Sequence, residues 1–234
     1  MGIRRRQLGA GGLCVLALTA GASVPTHPAS AGARPMRVVV IGDSLSTGCG
    51  TSPQLAWPAL FGADSRFKGN VNIINAAENG SGYLSQGDFQ GTFGTQVNSF
   101  VTADTDTVIL FGSENDIGYA PDAVRDAATT TINTAKTTAP YARVIVIGPP
   151  SYTPEPEPER LQVRHAIKAA AVDAKAQFVD PISESWISGQ VDELIGPDGD
   201  HPTEAGQHYL LEHMQRLIGD PGAQLAKANE ASRT

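Results

Sequence analysis

The chain has 234 residues, 41% of them hydrophobic and 18% charged, a balance that suits one globular α/β domain with a sizeable core. A formal net charge of −7 excludes the basic surface on which nucleic-acid binding depends. Two cysteines supply no disulfide framework, so stability has to come from packing.

Residues 1–33 read as an N-terminal secretory signal. Arg4, Arg5 and Arg6 precede the apolar run 13–24, and Ala29-Ser30-Ala31 or Ala31-Gly32-Ala33 supplies an A-x-A cleavage site. The run is too short and too rich in Gly, Ala and Thr for a membrane anchor, so no stable span is expected after cleavage. Arg5-Arg6-Gln7-Leu8 resembles a twin-arginine export signal, whereas Cys14 does not end the apolar run as a lipid-anchoring cysteine would. Cleavage after Ala33 takes three arginines from the 17 basic residues and none of the 24 acidic ones, for a mature net charge of −10. Cys49 is then the sole cysteine. A monomer, secreted or held in the cell envelope, is expected, with its domain over 34–220 and a flexible tail over 221–234.

The first strand is expected at 37–41, a β-branched run that stops at Gly42-Asp43-Ser44. A helix is expected at 56–63, a second strand at 71–76 and a glycine-rich loop at 80–95. A third strand at 107–111 leads to a helix at 121–138, and a fourth at 143–147 to a Pro-Glu loop at 149–158. A helix at 157–174, a short strand at 177–179 and a last helix at 203–218, capped by Thr203, complete the pattern. Continuous apolar runs suit parallel strands buried on both faces, and their alternation with helices implies right-handed crossovers in a three-layer α/β/α sandwich. Periodicity leaves the strand order open.

In open parallel sheets ligands bind beyond the carboxyl ends of the strands, and four segments gather there. They are Gly42-Asp43-Ser44-Leu45-Ser46, residues 75–82, Gly112-Ser113-Glu114-Asn115-Asp116, and Pro197-Asp198-Gly199-Asp200-His201-Pro202. A serine hydroxyl needs a histidine to take its proton and a carboxylate to fix that histidine's tautomer. Ser44, His201 and Asp198 form such a set, with Ser44 expected to point from its turn into solvent. An oxyanion needs donors, for which the Ser44 N–H, Gly80 and the Asn115 amide are candidates. Gly82 competes with Gly80, which is favoured by its distance from Asn75.

These four segments, in this order and over most of the mature chain, resemble the four sequence blocks of the SGNH (GDSL-type) hydrolases. The resemblance implies a flavodoxin-like five-stranded parallel sheet of order 2-1-3-4-5. It also implies no metal or other cofactor, and hydrolysis of acyl or sugar esters through an acyl-Ser44 intermediate. The substrate would be a small acyl ester, a lipid or an O-acylated glycan. Acyl transfer to a sugar, O-deacylation of envelope glycans and a non-catalytic glycan-binding module are the alternatives. The loops 47–58, 81–97 and 149–158 should wall the pocket.

Other readings of the same residues are weaker. The residues Asp198, Asp200 and His201 could suggest a metal-dependent deacetylase, but no H-E-x-x-H or second paired histidine accompanies them. The turn after the first strand lacks G-x-G-x-x-G and a G-K-[ST] ending, and no G-x-S-x-G elbow occurs. Asp43 and Ser46 read as turn or cap residues, Cys49 as a small buried one, and Glu155, Glu157 and Glu159 as solvated. His165, His208 and His213 read as helix-face polar residues, and the role of Glu114 is left open.

Overall fold

The computed structural model describes residues 34–219. The signal segment 1–33 and the expected tail 221–234 lie outside the described residues. Strands β1 (Met36–Gly42), β2 (Val71–Asn75), β3 (Thr107–Phe111), β4 (Arg143–Ile147) and β5 (Gln177–Val179) form one parallel sheet of order β2-β1-β3-β4-β5. This is the order implied by the family resemblance, in an α/β/α sandwich. The helices are α1 (Ser44–Thr47), α2 (Trp57–Ala63), α3 (Phe93–Phe100), α4 (Pro121–Thr138), α5 (Pro158–Asp173), α6 (Val191–Leu194) and α7 (Glu204–Ile218).

The strand alternation divides the core. Val39 and Ile41 of β1, Val108 and Leu110 of β3, and Val144 and Val146 of β4 face one layer with α3, α4 and α5. Val38 and Val40, Ile109 and Phe111, and Ile145 and Ile147 face the other, against Trp57, Phe61, Leu210 and Met214 of α2 and α7. Both faces are covered, which is why these strands are apolar throughout rather than alternating. Each such side chain contributes roughly 1.5–3 kcal/mol on burial, so the sheet forms a rigid base for the loops at its carboxyl end.

Helix starts follow local chemistry. Pro121 and Pro158 open α4 and α5, where a missing N–H costs nothing. Thr203 caps α7 by accepting from the Gly206 N–H at 3.0 Å, as expected. The expected loop 80–95 is shorter than its glycines suggested, because Phe93–Phe100 is helical. Thr92 and Thr95 form a reciprocal capping box there, and Phe93 and Val97, one turn apart, are buried.

On α7, His213 is not a plain solvent-facing residue. Its ring lies 4.1 Å from the Trp186 ring and 4.8 Å from that of Tyr209. Burial, with the charge of Arg216, lowers its pKa, against the opposing charges of Glu184 and Glu212. The fold therefore favours the neutral ring. Its stabilising effect is complete above the unfolded histidine value of about 6.5 and is lost as pH falls through the lower folded value. Thermal midpoints should decline below about pH 6.5 in the parent and less steeply in His213→Phe. Equal slopes would show that His213 is not the titrating group.

Candidate functional site

The four predicted segments meet at the carboxyl end of the sheet, around β1 and β3, whose outgoing connections lead to β2 and β4 on opposite sides. Ser44 is the first residue of α1, directly beyond β1. Asp43 caps this helix, its Oδ1 accepting from the Leu45 N–H at 3.0 Å while its carbonyl accepts from the Ser46 N–H. The Ser44 N–H donates to no group among the described residues. The side chain is less open than the sequence suggested: Ser44 is only 8% exposed, because the chain enters a helix rather than an open turn. Ser46 is fully buried and accepts from the Trp57 indole at 3.1 Å. Cys49 is half-buried.

The Asp43 carboxyl is fully buried, and its Oδ2 has no hydrogen-bond partner. Burial pushes it well above the usual carboxylate range, and the charges of Glu114 and Asp200 push the same way. It lies against Gly112, where φ is +131° and a Cβ would sit 2.2 Å from Oδ2. Only glycine fits that approach.

Gly80 follows β2 with φ +75°, a left-handed conformation suited to glycine. Its N–H donates to no group among the described residues, whereas the Gly82 N–H is taken by the Ser85 carbonyl at 2.9 Å. Asn115 lies in a short 3-10 turn after β3, and its amide donates to the Ser81 carbonyl at 2.9 Å. One side-chain N–H of Asn115 thus remains beside the Gly80 loop.

Three residues overlooked in the sequence hold these loops together. Gln96 clamps both backbone groups of Gly42, at 3.0 and 3.2 Å, and donates to the Ser81 hydroxyl, which itself donates to the Gly42 carbonyl. Buried Asp116 accepts from the N–H groups of Tyr83, Leu84 and Ser85 and from the Ser113 hydroxyl, at 2.6–3.0 Å. Gln207 of α7 accepts from the Trp57 N–H at 2.9 Å and reaches the Leu45 carbonyl. Replacing Asp116 by Ala orphans four donors, each costing about 1–3 kcal/mol when buried. Asp116→Ala should therefore lose about 3 kcal/mol or more in urea unfolding, together with activity. A loss below about 1 kcal/mol would show that the clamp is dispensable.

Asp198 and His201 are paired. His201 Nδ1 lies 2.8 Å from Asp198 Oδ2, and Asp198 Oδ1 accepts from the N–H groups of Asp200 and His201 at 3.1 Å each. These bonds, the His201 side chain first, hold the Asp198 carboxyl down at about 2. His201 Nε2 is 3.9 Å from Asp200 Oδ2. The Ser44 hydroxyl and the His201 ring share no hydrogen bond; the His201 Cβ lies against Gly50, six residues after Ser44.

Glu114 acquires a role. It accepts from Arg160 at 2.5 Å and from the Tyr152 hydroxyl at 2.9 Å, and Arg160 also donates to the Pro150 carbonyl and to Glu157. Burial raises the Glu114 carboxyl, against the hydrogen bond and charge of Arg160. Burial also opposes the charge on Arg160, but Glu114 outweighs it and keeps the guanidinium cationic. The network ties the loop after β4 to the turn that carries Asn115. Glu157 is therefore bonded, although its side chain is 56% exposed.

The model of the GDSL-like lipase/acylhydrolase family matches residues 40–209. The chain is 36% identical over 191 residues to the GDSL lipase Rv0518 of Mycobacterium tuberculosis, covering 77% of this chain and 80% of that protein. This chain belongs to the GDSL-like lipase/acylhydrolase family. It is an ester hydrolase. Solved structures share the fold of this GDSL hydrolase. TesA is 22% identical with a TM-score of 0.65, over 80% of this chain and 99% of its own. The psychrotrophic esterase EstA from Pseudoalteromonas, solved inhibited by monoethylphosphonate, is 17% identical with a TM-score of 0.61, over 78% and 96%. In the GDSL hydrolase no helix among the described residues is long and apolar enough to cross a membrane.

Proposed function

We propose that this hydrolase cleaves acyl esters through an acyl-Ser44 intermediate, with His201 as general base and acid and Asp198 as its orienting carboxylate. The observation that carries the reading is the 2.8 Å contact between His201 Nδ1 and Asp198. It fixes the tautomer in which Nε2 is free to accept a proton. Ser44 Oγ adds to the ester carbonyl while Nε2 takes its proton. The tetrahedral intermediate collapses as His201 returns that proton to the departing alcohol. Water then adds to the acyl-Ser44 carbonyl with His201 again as base, releasing the acid and free Ser44. The missing Ser44–His201 bond is compatible with this, since such bonds often form only with substrate in place.

The Ser44 N–H, the Gly80 N–H and the Asn115 amide serve as the oxyanion hole. The engagement of the Gly82 N–H by Ser85 supports Gly80 as the donor. Asn115→Ala should lower kcat by roughly 10²–10³ with a smaller effect on KM, because its partner exists mainly in the transition state. An unchanged kcat in a folded variant would remove Asn115 from the hole. The leader-like residues 1–33 support export, to the medium or the cell envelope. The reading as a whole is tested with p-nitrophenyl esters of two to about twelve acyl carbons, following release of free acid. Stoichiometric acid release that stops when Asp198 or His201 is replaced is the expected result, and no acid release from any member would refute the reading.

A further inference from the structure

A groove of about 470 Å³ opens beside the Gly80 loop, between the end of β2 and helix α3. Phe89 stands at it 88% exposed, and Phe100, at the end of α3, lines it 42% exposed. The Phe89 ring is presented by a turn that is firmly braced. The Glu78 carboxylate accepts from the N–H groups of Phe89 and Gly91, and Gly87 and Gly91 pair at 2.9 Å. Gln90 takes a left-handed φ of +64°, and the Asp88 N–H binds the Asn79 carbonyl, next to Gly80. A fixed backbone thus holds out an apolar ring whose covering would be favourable.

The lining identifies what would cover it. Its only charge is Glu78, already engaged by the turn, and no lysine or arginine lines it to receive a phosphate, sulfate or uronate. Polar side chains, Gln90 and Ser99 among them, share the lining with the two rings. An alkyl chain would leave these polar groups without partners. A sugar ring satisfies both parts, its C–H face against phenylalanine and its hydroxyls toward the amides. We propose that this groove binds a neutral polysaccharide chain and delivers its O-acyl groups to the adjacent site. The substrate class would then be an O-acylated glycan. This rests on the ester-hydrolase site of the preceding subsection for its chemistry but not for its binding.

Two measurements with the whole protein test it. The first compares chemically acetylated glucomannan with p-nitrophenyl acetate. Phe89→Ala should raise KM for the polymer about tenfold, the scale of one lost ring contact, and leave kcat/KM for the small ester within about twofold. Phe89→Trp should restore the polymer KM. The second uses Ser44→Ala protein in affinity electrophoresis through unacetylated glucomannan. Retardation is expected, and it should vanish when Phe89→Ala is added. An unchanged polymer KM, equal losses on both substrates, or Phe89-dependent binding to phosphatidylcholine vesicles in place of glucomannan would each overturn the proposal. Failure of the parent to hydrolyse either ester would overturn the ester-hydrolase reading instead, leaving the retardation assay to decide the groove.

Discussion

Ser44→Ala should lower kcat by about 10⁶ while leaving the fold and the unfolding midpoint nearly unchanged. The size follows from serine hydrolases in which loss of the nucleophile costs about as much as loss of the whole relay. The fold should survive because the Ser44 hydroxyl belongs to none of the clamps: the cap of α1 comes from Asp43, and the loop ties run through Gln96, Asp116 and Gln207. Removing one oxygen from a site 8% exposed opens little space. The comparison is single-turnover acid release for parent and variant, beside urea unfolding curves. Activity within tenfold of the parent in a folded Ser44→Ala protein would move the nucleophile elsewhere.

His201→Ala should be nearly as damaging, because nucleophile and base act as a unit, and the double variant with Ser44→Ala should be little worse than either alone. Asp198→Asn tests the orienting partner. It keeps the shape but offers an amide where His201 Nδ1 now meets a carboxylate at 2.8 Å, and a loss of about 10⁴ in kcat is expected if the wrong tautomer results. With its pKa held at about 2, the Asp198 carboxyl stays ionised through the whole working range, so protonation of Asp198 cannot produce an acid limb above about pH 3. Any acid limb nearer neutrality belongs to another group. A loss below about tenfold in Asp198→Asn would show that another acceptor orients the ring.

The sheet was legible in the sequence because both of its faces are covered. Runs such as Val144-Ile145-Val146-Ile147 carry no polar interruption, and all five expected strands are present. Their order was legible only through the family resemblance, since parallel pairing leaves no trace in periodicity. The four site segments were legible because each couples a strand end to a residue type with a chemical role. Gln96, Ser81 and Asp116 were not, because a lone amide, hydroxyl or carboxyl in a glycine-rich stretch does not reveal which distant backbone it will bind. Helix α3 was hidden by the glycines before it, although Thr92 and Thr95 at capping-box spacing were its available signal. Arg160, 46 residues from Glu114, was read only as part of a helix. Long-range ion pairs of this kind follow from the packing of α5 against the turn after β3.

The most direct test is covalent. A fluorophosphonate should react with one equivalent of the parent protein, and peptide mass mapping should locate the phosphonyl group on Ser44. Labelling should be slowed strongly in His201→Ala and be absent in Ser44→Ala. An adduct on any other residue, or undiminished labelling of Ser44→Ala, would contradict the assignment of Ser44 as the nucleophile.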